Sequence, residues 1–166
     1  MTMANVFVHT DASFSFQTKK GAWAACISGE LRAEQSGPCP EDVNDPSAAE
    51  LYAMLRALEL IVEKLPSAQG KHVRFHSDSQ LALLWITQGR KKCRTNECVA
   101  GLQSQIRKIL HQHGITVQTH WVRGHQRVAK DKTSRLNHRC DFMARTKREQ
   151  MENGHEHDQD QDQALR

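Results

Sequence analysis

Apolar residues fall in short continuous or alternating runs near the start of the chain and at helical spacing further on. Val6–His9 is short, rich in β-formers and mostly apolar, which predicts a buried strand that delivers Asp11 at its C-terminal end. Gly21–Ile27 predicts a second strand, Ser28–Glu30 a turn and Leu31–Ser36 a more polar third strand, so the opening reads as an antiparallel meander. Residues 37–46 hold Pro38, Pro40, Pro46 and several acids and predict a loop. From Ser47 to Leu65 the positions Leu51, Met54, Leu55, Leu58, Ile61, Val62 and Leu65 recur at steps of three and four, the mark of an amphipathic helix, and Pro66 stops it.

The second half continues in the same way. His72–His76 predicts a strand that ends at Asp78, Ser79–Thr87 a short helix closed by Gly89, and Asn96–His113 a longer helix followed by Gly114. Ile115–Val122 predicts the last strand, Gly124–Ser134 a basic loop and Arg135–Lys147 the final helix. The order βββαβααβα, without internal repeats, predicts an α/β domain with a mixed sheet flanked by helices. Residues 149–166 are too polar to bury a core and are expected to form a disordered acidic tail behind a folded domain of residues 1–148.

Composition sharpens this picture. A chain of 166 residues is most simply one domain. Glu149, Glu152, Glu156, Asp158, Asp160 and Asp162 against Arg166 leave the tail at −5, so the overall +4 places +9 on the preceding residues. A body that basic attracts polyanions, without saying which. Five cysteines (Cys26, Cys39, Cys93, Cys98 and Cys140) lack disulfide-dense spacing, and the N-terminus shows no secretory pattern. No run of 18 apolar residues occurs, so the expectation is a cytoplasmic monomer with free thiols and no membrane partner. Cys93 and Cys98 with His111 and His113 depart from the usual zinc-ligand spacing, which argues against a zinc site.

Four carboxylates stand at the ends of predicted strands or on the apolar side of predicted helices: Asp11, Glu50, Asp78 and Asp141. Unpaired charges there are costly, whereas a hard divalent cation takes oxygen ligands and offsets their mutual repulsion. Asp11 and Asp78 on neighbouring strands would lie about 4.8 Å apart, with Glu50 leaning in from its helix. Such a cage suits two Mg²⁺ ions about 3.5–4 Å apart and the hydrolysis of a phosphodiester. Each acid also has a plain structural reading. Ser47 and Glu50 have the spacing of a capping box, Asp78 could cap the next helix, Asp11 could be a turn residue and Asp141 could pair with Arg145.

The flanks decide between these readings. Thr10-Asp11-Ala12-Ser13, Glu50 in a helix rich in Leu and Ala, Ser77-Asp78-Ser79, Trp121-Val122-Arg123-Gly124-His125 and Asn137–Arg145 occur in the order that resembles type 1 ribonuclease H. The resemblance runs from about Asn5 to Thr146 and implies the ribonuclease H-like fold, a five-stranded mixed sheet with helices on both faces. It further implies cleavage of the RNA strand of RNA–DNA hybrids to 3′-hydroxyl and 5′-phosphate ends, with two Mg²⁺ ions and Mn²⁺ as the substitute. In that family the acid matching Asp11 bridges both metals, those matching Glu50, Asp78 and Asp141 complete the set, and the histidine matching His125 assists proton transfer and product release. Gln88–Arg94, with Arg90, Lys91, Lys92 and Arg94, resembles the basic handle that grips the DNA strand through phosphates.

Ser13 and Ser47 are further candidate substrate contacts, Ser47 standing near the asparagine pair that the family often carries before its glutamate. The glycine-rich stretch usual after the first aspartate is replaced by residues 14–20, and Ala12 stands where glycine is usual. That departure weakens the argument for 2′-hydroxyl recognition and keeps two alternatives open. One is a nuclease of the same fold acting on DNA or structured RNA, the other a catalytically silent nucleic-acid-binding module.

Overall fold

The computed structural model describes residues 4–87, 96–124 and 131–164, with residues 155–164 as backbone. Five strands, β1 (Val6–Phe14), β2 (Gly21–Gly29), β3 (Ala33–Pro38), β4 (His72–Ser77) and β5 (Thr116–Trp121), form one sheet in the order β3-β2-β1-β4-β5. The meander β1-β2-β3 is antiparallel, and β4 and β5 run parallel to β1. The helices are α1 (Pro46–Lys64), α2 (Gln80–Thr87), α3 (Glu97–His113) and α4 (Lys132–Ala164). The expected fold class is therefore what the chain adopts.

Alternation along β1 explains the two layers. Val6 and Val8 point to one face and join Trp23, Ala25 and Ile27 of β2, Val73 and Phe75 of β4 and the apolar faces of α1, α2 and α3 in the main core. On the other face α4 lays Cys140 and Ala144 against Ala24 and Cys26 of β2, a much smaller apolar patch. β5 is an exposed edge strand, polar along most of its length, as a solvated sheet edge should be.

Several boundaries differ from the sequence reading, each for a local reason. β1 runs on to Phe14 because Thr10–Phe14 pair with Gly21–Ala25 of β2, so Asp11 lies inside a strand rather than at its end. α1 begins at Pro46, and its N-cap is Asp45, whose carboxylate accepts from the Ala48 amide at 2.9 Å. Ser47 therefore sits inside the first turn and is not the cap. Asn96 caps α3 by accepting from the Cys98 and Val99 amides, and its own amide donates to Asp45, tying the starts of two helices together. Gly114 ends α3 in the left-handed conformation.

α4 departs furthest. Its backbone is helical to Ala164, whereas the pattern of apolar residues ends the helix at Lys147 and assigns residues 149–166 to a disordered tail. The first part of that segment is held by polar contacts instead. Lys20 Nζ donates to the Met151 carbonyl, and Thr18 Oγ1 donates to Glu152.

Candidate active site

The site forms where β4 leaves β1. Parallel pairing between the two strands stops at His9 and His76, while β1 continues along β2. Asp11 and Asp78 each come two residues beyond that last pair, Asp78 just past the C-terminal end of β4 and Asp11 inside β1 where its parallel partner has ended, and the C-terminal side of parallel strands is the usual place for a site in an α/β sheet. Glu50, in the second turn of α1, reaches them from the adjoining layer, where Glu50 Oε1 accepts from the Ala12 amide at 3.2 Å. The same amide donates to Asp11 Oδ1 at 2.9 Å, so a single N–H orients two of the acids.

Asp11, Glu50 and Asp78 each offer a carboxylate oxygen within 4.8 Å of the others. Burial and then the neighbouring Asp78 push the Asp11 carboxyl up to about 7. Burial and then the charge of Asp11 hold Glu50 well above the ordinary carboxylate range. Glu50 Oε2 is buried and has no hydrogen-bond partner among the described residues. A buried acceptor without a donor, among acids that resist ionising together, is the donor set a hard divalent cation satisfies.

The Ser79 hydroxyl caps α2, accepting from the Ala82 amide at 3.2 Å. Asp11 is paired in a strand and is no turn residue. Asp141, on α4, stands outside the 4.8 Å group, although its charge is among those that raise Asp11. It is half-exposed and lies 3.9 Å from Arg145, a separation that makes a weak ion pair at most. Cys140 beside it donates to the His9 carbonyl, pinning this turn of α4 to β1.

Two histidines back the acids. His9 and His76, two residues before Asp11 and Asp78, stack with ring centroids 4.3 Å apart, and burial lowers them to about 3 and about 4. On the far side Trp121 Nε1 donates to the Asp78 carbonyl at 3.1 Å. Gly124 passes so close to Asp78 that a side chain there would meet the carboxylate. A polar cavity of about 240 Å³ opens next to this point, its lining including Trp121, Arg123, Ser134, Asn137 and His138. Within their motifs neither Gly124 nor the buried Asn137 carries a signal of its own in the sequence, and what marks both is their position beside a candidate acid.

Of the other candidates, Ser13 lies on the same face of β1 as Asp11, one alternation step further on. Ser47 is half-buried one turn before Glu50. His125, Arg90, Lys91, Lys92 and Arg94 lie outside the described residues.

Comparison with known proteins agrees with this fold. A family model described as RNase H matches residues 3–149. A ribonuclease H of Nitratidesulfovibrio vulgaris is 31% identical over 162 residues, which cover 88% of this chain and 90% of that protein. Among solved structures, RNase H1 of the halophilic archaeon Halobacterium salinarum superposes with a TM-score of 0.62 at 15% identity, covering 86% of this chain and 96% of the other. The N-terminal RNase H domain of Rv2228c from Mycobacterium tuberculosis, solved as a fusion with maltose-binding protein, reaches 0.66 at 15% identity, with 92% and 99% covered. LC11-RNase H1, solved in complex with an RNA/DNA hybrid, reaches 0.67 at 16% identity, with 88% and 98% covered. At such identities these structures speak for the fold.

Proposed function

Because the chain belongs to the RNase H family, we propose that it hydrolyses the RNA strand of RNA–DNA hybrids in a reaction that depends on divalent metal. The observation that carries this reading is the convergence of Asp11, Glu50 and Asp78 within 4.8 Å. These three residues would hold Mg²⁺, with Mn²⁺ as the substitute, and Asp141 would complete the set for a second ion. When bound, the ions supply an activated water and stabilise the charge that develops on the leaving oxygen.

The chain's own residues do the rest. β1 and β4, paired and backed by the main core, hold Asp11 and Asp78 rigid, and the Ala12 amide fixes the rotamers of Asp11 and Glu50. His125 follows Gly124, which touches Asp78, and we assign it proton transfer and product release. Arg90, Lys91, Lys92 and Arg94 grip the DNA strand through phosphates, while Ser13 and Ser47 meet the strand to be cut. We further propose that the protein works as a cytoplasmic monomer, a reading with which the free thiols Cys26, Cys39, Cys98 and Cys140 are consistent.

A second reading, cleavage of DNA or structured RNA, draws on residues 14–20, which replace the glycine-rich stretch of the family. Matched RNA–DNA hybrid, double-stranded RNA and double-stranded DNA, each with Mg²⁺, Mn²⁺ or EDTA, separate the two. Cleavage confined to hybrid and abolished by EDTA supports the first reading, and preferential cleavage of either homoduplex replaces it with the second. Binding without cleavage under every condition leaves only a silent binding module.

A further inference from the structure

The turn that follows β1 is held from within by two ring contacts, Phe16 against Phe14 at 5.6 Å and Lys19 Nζ over the Phe16 ring at 5.6 Å, and by two hydrogen bonds. Within it the Ser15 amide donates to the Lys20 carbonyl at 2.9 Å and the Thr18 amide to Ser15 Oγ at 3.3 Å. Phe16, Gln17, Thr18 and Lys19 are exposed, and Lys19 adopts a φ of 58°, in the left-handed region that a lysine seldom enters unaided.

A second support comes from α4. Arg148 Nε donates to Ser13 Oγ at 2.8 Å, and Arg148 Nη1 donates to both oxygens of Glu152 at 3.2 and 3.0 Å. Glu152 in turn accepts from Thr18 Oγ1 at 2.7 Å, and Lys20 Nζ reaches the Met151 carbonyl at 3.4 Å. The Arg148 and Glu152 side chains are only 20% and 22% exposed, so this is not a solvated pair on a helix surface. Its bonds are charge-assisted and span from α4 to both ends of the turn.

The chemistry at Ser13 gives this network a consequence. A hydroxyl carries one donor and two acceptor sites, so a Ser13 oxygen that accepts from Arg148 keeps its own hydrogen for another partner. Ser13 shares a face of β1 with Asp11, beside the strand that the acids would cut. We propose that Arg148 and Glu152 are positioning residues: from the C-terminal half of α4 they fix the Ser13 hydroxyl and the following turn as a donor surface for the RNA strand. This rests on the hybrid-cleaving reading above. It gives the extension of α4 a task in substrate grip, which a passive tail would lack.

The test uses the full chain with Arg148→Ala, Arg148→Lys, Glu152→Ala, Glu152→Gln and Ser13→Ala. Arg148→Ala should raise KM for hybrid about tenfold with kcat within about twofold, as expected when one charged hydrogen bond that serves binding is removed. In the free protein the Ser15 and Thr18 amides should exchange about tenfold faster while the rest of β1 is unchanged. Arg148→Lys should recover part of the KM, and Arg148→Ala combined with Ser13→Ala should be no worse than Arg148→Ala alone. Unchanged KM and exchange, or additive effects of the two substitutions, would overturn the proposal. Should Arg148→Ala not fold, Glu152→Ala breaks only the outer half of the network, while Glu152→Gln keeps a neutral acceptor there; Glu152→Ala must still raise KM and quicken Thr18 exchange, and no change in either refutes the assignment. A wild-type protein that leaves hybrid intact counts against the functional reading instead, and the exchange data then judge the clamp independently.

Discussion

Gly124→Ala tests the architecture of the site through a residue that carries no functional group. Gly124 is outside the left-handed region, so its backbone accepts alanine without strain. The obstacle is the space: a Cβ built there overlaps Asp78 Oδ2 and lies 3.1 Å from both Cβ and Cγ of Asp78. Restoring ordinary contact requires Asp78 or the end of β5 to retreat by roughly half to one ångström, a shift comparable with overpacking, which costs about 1–3 kcal/mol. Metal ligands tolerate about 0.2 Å. A misplacement of about 1 Å in a catalytic group costs on the order of 10²-fold in rate, or about 2.7 kcal/mol in the barrier. We therefore expect kcat/KM for hybrid to fall about 100-fold and Mg²⁺ affinity to weaken, read by cleavage kinetics and calorimetric titration. Gly101→Ala on α3, which meets no atom within 4 Å, serves as the control and should stabilise the helix by about 0.5–1 kcal/mol without touching activity. If Gly124→Ala cuts hybrid within twofold of wild type and binds Mg²⁺ as tightly, Asp78 is not held where the metal site requires it.

Asp11→Asn should abolish cleavage and, in EDTA, raise the thermal midpoint, because it removes a buried charge that repels Asp78; a gain on the order of 1 kcal/mol is expected, and a lower midpoint would contradict the crowding of acids described here. Asn96→Ala should cost about 1–2 kcal/mol in chemical denaturation, since it removes the cap of α3 and the bond to Asp45, while kcat stays as in wild type. Replacing Arg90, Lys91, Lys92 and Arg94 with alanine should raise KM and flatten the salt dependence of hybrid binding, by roughly 0.9 in the logarithmic slope for each phosphate no longer neutralised, less for forms other than duplex DNA; an unchanged slope would mark the run as a solvated face.

The acids are legible because each sits in a short motif at the edge of an element whose apolar pattern is plain: Val6 and Val8 before Asp11, Val73 and Phe75 before Asp78, and the Leu and Ala face of α1 around Glu50. What escapes a reading of the sequence is whatever depends on partners distant along it. Thr10–Phe14 looks like the exit from a strand and becomes part of one only because β2 pairs with it. The cap of α1 is readable in Asp45 followed by Pro46, yet the capping-box spacing of Ser47 and Glu50 competes with it, and in the fold Glu50 instead accepts from the Ala12 amide of β1. The length of α4 has no apolar signal beyond Ala144. Its hold on Thr18 and Lys20 is a matter of polar side chains that meet only after folding.

The same logic separates Asp141 from the other acids. Sequence order places it in one set with them, but α4 is joined to the sheet by a small patch around Cys140 and Ala144, and it sets Asp141 outside the group that Asp11, Glu50 and Asp78 form. On the proposed reading, with three acids on the sheet and α1 and the fourth on α4, the position of α4 sets how Asp141 approaches the others.

On the proposed reading these carboxylates bind divalent metal to cut one strand of a hybrid. The most direct test is incubation of an RNA–DNA hybrid labelled on each strand with wild type and with Asp11→Asn, in Mg²⁺ and in EDTA. Wild type in Mg²⁺ should cut the RNA strand alone, leaving 3′-hydroxyl and 5′-phosphate ends, and the other three combinations should leave both strands whole. Cleavage that persists in EDTA, cleavage of the DNA strand, or activity of Asp11→Asn at the wild-type rate would contradict it.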